Sequence, residues 1–288
     1  MLQPEQHHFS SQRLELTYWS WGKPERPTVI MQHGGRDHAR SWDQMATALA
    51  DQYYIIAPDL RGHGDSQWEK GGEYSLCQYV FDFLMLIEHL GSPVHVIAHS
   101  YGGLITYLAA GTAPYQFLSI TSIEGRVSGR GIPPLTPAGM QSYRELRHTL
   151  EHRASHVYAS LAAAAQRMRE VNPRLSPELS SHLAHYGTRL VEGGYVWKFD
   201  NWARPGVRRD DISTEEIQSF IAAINCPVLL IMGEHSWAKR GMHDTVGLFP
   251  QGKAVIIPDA GHWVHLDAPE HVLEEVRAHI NNTLEGAP

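Results

Sequence analysis

The chain opens on alternation: in QRLELTYWSW (12–21) apolar and polar side chains exchange places along the run, the period of a half-buried β-ribbon. The pattern then changes to short apolar runs separated by stretches of helical spacing. TVIMQ (28–32), bounded by Pro27 and by HGG, predicts a buried strand, and SWDQMATALA (41–50) a helix. YYIIAPD (53–59) predicts a second buried strand, SLCQYVFDFLMLIEHL (75–90) a long amphipathic helix, PVHVIAH (93–99) a strand and GGLITYLAAGTA (102–113) a helix. Strands and helices alternating at these lengths imply right-handed βαβ crossovers and a mostly parallel sheet covered on both faces, the α/β class.

After the strand FLSITSIEG (117–125) the rhythm breaks. Residues from about 130 to 215 keep helical periodicity, with Pro and Gly interruptions and no convincing buried strand. Strands return only at PVLLIMG (227–233) and KAVIIPD (253–259), and PEHVLEEVRAHINNTL (269–284) closes the chain as a helix. An insertion of that length is too long for a loop and predicts a helical cap over one sheet edge. The expected organisation is therefore a core domain of residues 1–129 and 216–288 with a cap of residues 130–215, without internal repeats or a low-complexity linker.

Composition bounds the partners. At 288 residues and 42% hydrophobic content, the chain can bury a large core. Its formal net charge of −7, from 31 acidic against 24 basic residues, argues against a nucleic-acid groove or an anionic membrane surface, and favours a small-molecule substrate. Cys77 and Cys226 follow no metal spacing, so neither a disulfide framework nor a thiolate zinc site is indicated, and a reducing compartment fits. MLQPEQHHFSSQ lacks a basic segment followed by an apolar one, and no run of about 18 apolar residues occurs, so a soluble, cytoplasmic protein is expected. The 19 histidines scatter through helices and loops, most of them expected at the surface or in supporting positions.

The candidate chemistry starts at VIAHSYGGL (96–104), where a strand breaks into a serine between small residues and then into a helix. Ala98, Ser100 and Gly102 make a G-x-S-x-G pattern with Ala at the first small position. Such a sharp turn exposes the hydroxyl and points the next amide N–H at a substrate. The bland alternative is a buried strand end with a helix-capping serine. Three further stretches follow predicted strands: HGGRDHARSW (33–42), APDLRGHGDS (57–66) and DAGHWVHLDAPE (259–270).

With these motifs in this order, the sequence resembles the α/β-hydrolase superfamily from about residue 12 to 285. It resembles in particular the capped branch of small esterases, C–C bond hydrolases, haloalkane dehalogenases and epoxide hydrolases. The resemblance implies an eight-stranded, mostly parallel sheet flanked by helices. It puts Ser100 at the nucleophile position, His262 at the catalytic histidine, and the backbone N–H groups of Gly35 and Tyr101 at the oxyanion hole. It also implies no metal and no organic cofactor. A serine nucleophile disfavours the aspartyl-ester chemistry of dehalogenases and epoxide hydrolases and points to acyl transfer. His265, three positions on and nearer the following helix, is the competing histidine and is expected to be a structural hydrogen-bonder.

The acid departs from the commonest family pattern. After PVLLIMG relatives usually carry Gly, two variable residues and Asp, whereas GEHS here puts Ser236 at that position. A carboxylate is still needed to fix the histidine tautomer and stabilise the imidazolium, a function whose loss costs on the order of 10⁴ in turnover. Glu124, ending the strand after the nucleophile's own, is the preferred acid, as in some superfamily members; Glu234 and Asp244 are its rivals.

Other residues carry two readings each. Asp59, Arg61 and Asp65 are expected to brace their loop through mutual ion pairs and backbone bonds. Arg36, Asp37 and His38 either line the pocket floor or form an exposed polar loop, and Trp42 is core. Of the cap aromatics Tyr186, Tyr195, Trp197, Phe199 and Trp202, Trp197 and Trp202 are the candidate pocket walls with His38, although all five could equally knit cap to core. Lys198, Arg204, Arg208 and Arg209 either meet a substrate carboxylate or form a solvated run. The leading functional reading is a Ser-His-Glu hydrolase of small esters or thioesters. C–C bond hydrolysis or cofactor-free ring dioxygenation, kept alive by His38, is the second, and a non-catalytic binding member of the fold the third. Oligomeric state is left open.

Overall fold

The apolar runs fold as strands because both faces of each are covered. In the computed structural model, which describes residues 2–71, 74–125, 127, 136–203, 212–237 and 245–285, β1 (Glu5–Ser11) and β2 (Leu14–Trp21) form the antiparallel ribbon. β3 (Thr28–Gln32), β4 (Tyr54–Pro58), β5 (Val94–His99), β6 (Phe117–Ile123), β9 (Val228–Gly233) and β10 (Gly252–Ile257) build the parallel part. The sheet has eight strands in the order β1-β2-β4-β3-β5-β6-β9-β10, with β2 antiparallel to β4. Crossovers are made by α1 (Asp43–Leu49), α2 (Leu76–Leu90), α3 (Tyr101–Thr112) and α7 (Thr214–Ala222). The single turn α8 (Val264–Asp267) and the long α9 (Pro269–Glu285) close the chain.

The two-residue period of the strands sorts their side chains between two cores. Ile30, Ile56, Val96, Ile120 and Leu230 point to the face covered by α2, α3 and α7, where Tyr79, Phe83, Ile105 and Ile217 are buried. Met31, Ile55, Ile97, Ile123 and Ile231 point to the other face, packed with Trp42, Met45, Leu49, Val272 and Val276. A one-residue slip of any strand would exchange the two sets, which pins the register. Among the described residues, no helix is long and apolar enough to cross a membrane.

The inserted segment contains α4 (Pro137–Glu151), α5 (Leu161–Val171) and α6 (Pro177–Gly187). It also carries an antiparallel hairpin of β7 (Thr188–Val191) and β8 (Gly194–Trp197), which helical periodicity did not predict. The signal was the EGG turn: Gly193 and Gly194 take φ of 83° and 143°, backbone that side-chain-bearing residues avoid. Polar contacts tie the segment to the sheet domain. Lys198 Nζ lies 2.7 Å from Asp65 Oδ1, Tyr74 OH donates to Asp200 Oδ2 at 2.7 Å, and Asn172 Nδ2 donates to Asp267 Oδ1 at 2.8 Å. On the other side the Arg40 guanidinium, paired with Asp43 at 2.6 Å, stacks 3.7 Å from the Tyr186 ring.

Candidate active site

Ser100 is forced into an unfavourable backbone conformation by what surrounds it. β5 ends at His99, and Ser100 takes φ 53° and ψ −111° before α3 starts at Tyr101. The turn survives because the neighbouring backbones approach closely: a Cβ on Gly102 would sit 2.6 Å from the His33 carbonyl oxygen, so only glycine fits. Ser100 N donates to the Ile123 carbonyl at 2.8 Å, tying the turn to β6. The Ser100 side chain makes no capping bond to α3, which removes the bland reading of this serine. Its Oγ lies 3.2 Å from His262 Nε2 instead.

His262 stands on the loop after β10, and its Nδ1 lies 3.2 Å from Glu124 Oε2. A carboxylate only accepts, so Nδ1 carries the proton and the Nε2 lone pair faces the Ser100 hydroxyl. Glu124 follows β6 directly, again with positive φ, 57°, and is 0% exposed. A buried carboxylate is costly unless donors surround it. Here Gly233 N donates to Oε1 at 2.8 Å and Ser236 Oγ donates to Oε2, both from the end of β9 and the loop after it. Ser236, at the position where the resemblance led to an expected Asp, thus donates to Glu124. Glu234, the rival, is exposed and accepts the Asp259 N–H at 3.2 Å. Asp244 lies outside the described residues.

Aromatic rings pack around His262. Trp237, 57% exposed, stacks on its imidazole with centroids 5.3 Å apart and planes at 25°. His99 Nε2 donates to the His262 carbonyl at 3.0 Å, pinning the backbone. His265 lies flat on Trp42 at 4.4 Å, and burial pushes its pKa down to about 3, so it stays neutral. Neither of its ring nitrogens meets a hydrogen-bond partner among the described residues, so His265 is a packing residue and not the expected hydrogen-bonder. Burial also holds His99 well below the usual imidazole range.

The loop after β3 passes beside Ser100: a Cβ on Gly34 would lie 3.2 Å from Ser100 Cβ. Gly35, Arg36, Asp37 and Tyr101 line one cavity of about 740 Å³ together with Ser100 and His262. Arg36 is a further non-glycine residue at positive φ, 64°, so strained backbone gathers around this cavity. The Asp37 carboxyl, raised to about 6 by burial, accepts from His38 N at 2.8 Å and from Ser41 Oγ at 3.1 Å. His38 does not line the cavity. Its Nε2 donates to the Leu183 carbonyl at 3.1 Å, its ring is buried, and desolvation lowers its pKa to about 4, so it joins the loop to α6.

Other expected residues separate likewise. Trp197 and Phe199 line the cavity, whereas Trp202 does not; it packs against the sheet-domain core with the Arg147 guanidinium 4.1 Å over its ring. Tyr186 joins the inserted segment to the sheet domain through Arg40, and Tyr195 pairs with Tyr158 through backbone bonds of 2.8 Å. Asp59 accepts the N–H groups of Ala39 at 2.7 Å and Asp65 at 3.0 Å, but the expected mutual ion pairs are replaced by outward ones. Arg61 pairs with Asp82 and Glu69, each at 2.6 Å, and Asp65 with Lys198. Arg204, Arg208 and Arg209 lie outside the described residues. Sequence reasoning missed Trp237 and the cap side of the cavity, where Arg153, His156, Tyr158, Met168 and Asn172 contribute. Two groups among the described residues bring metal-capable atoms within 4.8 Å of one another, Asp37–His99–His265 and the exposed Glu234–His235–Asp259.

A family model described as the alpha/beta hydrolase fold matches residues 27–269. Serine hydrolase-like protein 2 of Homo sapiens is 27% identical over 286 residues, covering 92% of this chain and 90% of that protein. Esterase Rv0045c of Mycobacterium tuberculosis is 26% identical, over 89% of this chain and 83% of its own length. Among solved structures, a thioesterase domain from the curacin biosynthetic pathway superposes with a TM-score of 0.87 at 24% identity, covering 96% of this chain and 100% of that domain.

Proposed function

The chain belongs to the alpha/beta hydrolase family, and we propose that it hydrolyses a small carboxylic ester or thioester through Ser100, His262 and Glu124. One observation carries this reading: the unbroken line from Ser100 Oγ to His262 Nε2 and from His262 Nδ1 to Glu124, each step 3.2 Å. Esterase and thioesterase relatives support the reaction class.

The chemistry follows from the tautomer. Ser100 Oγ attacks the acyl carbon while His262 Nε2 takes its proton, and the Glu124 carboxylate stabilises the imidazolium. The oxyanion of the tetrahedral intermediate meets the N–H groups of Gly35 and Tyr101, donors of a type worth about 3 to 4 kcal/mol each. His262 returns the proton to the departing alcohol or thiol, leaving an acyl ester on Ser100. Water then gives its proton to His262 and attacks that ester, and collapse releases the acid and restores the Ser100 hydroxyl. Ser236 and Gly233 act through Glu124, keeping it oriented toward Nδ1.

Turnover of 4-nitrophenyl butyrate by the wild type and by Ser100→Ala tests the reading. The expected result is release of 4-nitrophenol by the wild type, reduced at least 10³-fold in the variant. Equal release by both proteins would contradict it, and no turnover of esters by a folded wild type would favour a binding protein. His38, the residue that kept C–C hydrolysis or ring dioxygenation in view, faces the Leu183 carbonyl and does not line the cavity.

A further inference from the structure

The cavity combines two kinds of lining. Apolar and aromatic side chains such as Leu104, Leu183 and Trp197 line it together with Ser100. Its cationic groups are Arg36 on the loop after β3 and Arg153 and Arg167 of the inserted segment, which also contributes the His156 imidazole. The lining carboxylate among the described residues, Asp37, is turned to its own loop, where it accepts from His38 N and Ser41 Oγ. In a chain of net charge −7, a cavity lined this way is locally positive, which favours an anion and disfavours an amine.

Arg153 is the central group. Arg36 has interactions of its own, and Arg167 is engaged with Glu170 at 3.1 Å on the exposed side of α5. No carboxylate meets the Arg153 guanidinium among the described residues, although it sits on a segment fixed at several points. Ser155 Oγ accepts from Asn201 Nδ2 at 3.3 Å, Tyr158 and Tyr195 exchange backbone bonds of 2.8 Å, and Trp197 Nε1 donates to Tyr158 OH at 3.3 Å. The His156 ring packs edge-on against Tyr158 at 4.5 Å. A planar guanidinium on an anchored segment, facing a cavity with an apolar wall, matches a carboxylate in bidentate geometry.

We infer that the substrate of this site carries a carboxylate besides its ester group, held by Arg153 of the cap while Ser100 receives the ester. The compound class is a half-ester or half-thioester of a short dicarboxylic acid. This inference rests on the hydrolase reading above, and its test separates the two.

The test is a matched pair of substrates, the mono-4-nitrophenyl ester of glutaric acid and 4-nitrophenyl valerate, which differ in a terminal carboxylate against a methyl group. In the wild type the ratio of kcat/KM should favour the half-ester. Arg153→Gln should lower that ratio about tenfold, the size of a lost charge-assisted hydrogen bond, with the change mainly in KM. Arg153→Lys should retain part of the ratio and Arg153→Glu should invert it, and circular dichroism of each variant verifies the fold. A wild-type ratio of one or below, or a ratio that Arg153→Gln leaves unchanged, overturns the inference while leaving the hydrolase reading intact. No turnover of either ester by the wild type, or turnover that survives Ser100→Ala, overturns the hydrolase reading and the inference with it.

Discussion

The floor and the roof of the cavity are built on opposite principles. The floor, at the carboxyl ends of β3, β5, β6 and β9, is buried, strained and bonded to backbone: Ser100 and Glu124 sit at positive φ, and Glu124 is gripped by Gly233 N and Ser236 Oγ. The roof has little core of its own. Leu150 is the buried residue of α4, Ala164 and Ala165 of α5 cluster with Ala184 of α6, and α6 also buries Leu183. It stays in place through polar contacts such as Lys198 to Asp65 and Asn172 to Asp267. On the proposed function, the contrast is a division of labour: geometry that must hold within a fraction of an ångström rests on the rigid sheet, and the proposed recognition rests on the inserted segment.

The comparison can be broken from either side. The largest effect belongs to the floor: His262→Ala should lower ester kcat at least 10³-fold with little change in thermal midpoint, read by a spectrophotometric assay beside a melting curve. Ser236→Ala comes next. Removing a donor from a buried carboxylate costs about 1 to 3 kcal/mol, so kcat/KM should fall about tenfold or more, with Ser236→Thr recovering part of it. An unchanged rate would show that Gly233 alone holds Glu124.

The neutral histidines under the floor give a smaller, pH-dependent effect. The folded-state pKa of His265 is depressed from 6.5 to about 3, so its contribution to stability is fully present above the unfolded value and is lost as pH falls toward the folded one. Between those values the unfolded chain binds a proton that the folded chain refuses, at about 1.4 kcal/mol per pH unit. His265→Phe, which keeps a ring against Trp42, should therefore lessen the loss of stability between pH 5.5 and 3.5 by up to about that slope, measured by urea unfolding across the range. The smallest effect belongs to the roof. Lys198 and Asp65 are partly exposed, so Lys198→Met should cost under about 1 kcal/mol and lose even that in high salt, read by the same unfolding curves.

The floor was far more legible in the sequence than the roof. Buried parallel strands announce themselves as apolar runs, and the small-Ser-small turn after β5 has a steric reason that composition alone reveals. The place of Glu124 near Ser100 could be read because it ends β6, the strand beside β5, yet its contact with Ser236 could not: that hydroxyl meets the carboxylate only across β6 and β9. His38 was misread for the same reason, since a loop histidine and a buried strut to Leu183 look alike in a string of letters. The roof contributes single side chains from separate elements, Arg153, Tyr158, Met168 and Trp197, with no spacing to mark them as neighbours. Its hairpin had a signal in the EGG turn that the surrounding helical pattern concealed.

Everything on the floor converges on the claim that Glu124 is the acid of the triad. The most direct test is kcat of Glu124→Gln against wild type on 4-nitrophenyl butyrate at neutral pH, with the fold of the variant verified by its melting curve. Glutamine keeps the shape but cannot stabilise the His262 imidazolium, so a loss on the order of 10⁴ is predicted. Turnover within tenfold of wild type would contradict the assignment and require a different carboxylate behind His262.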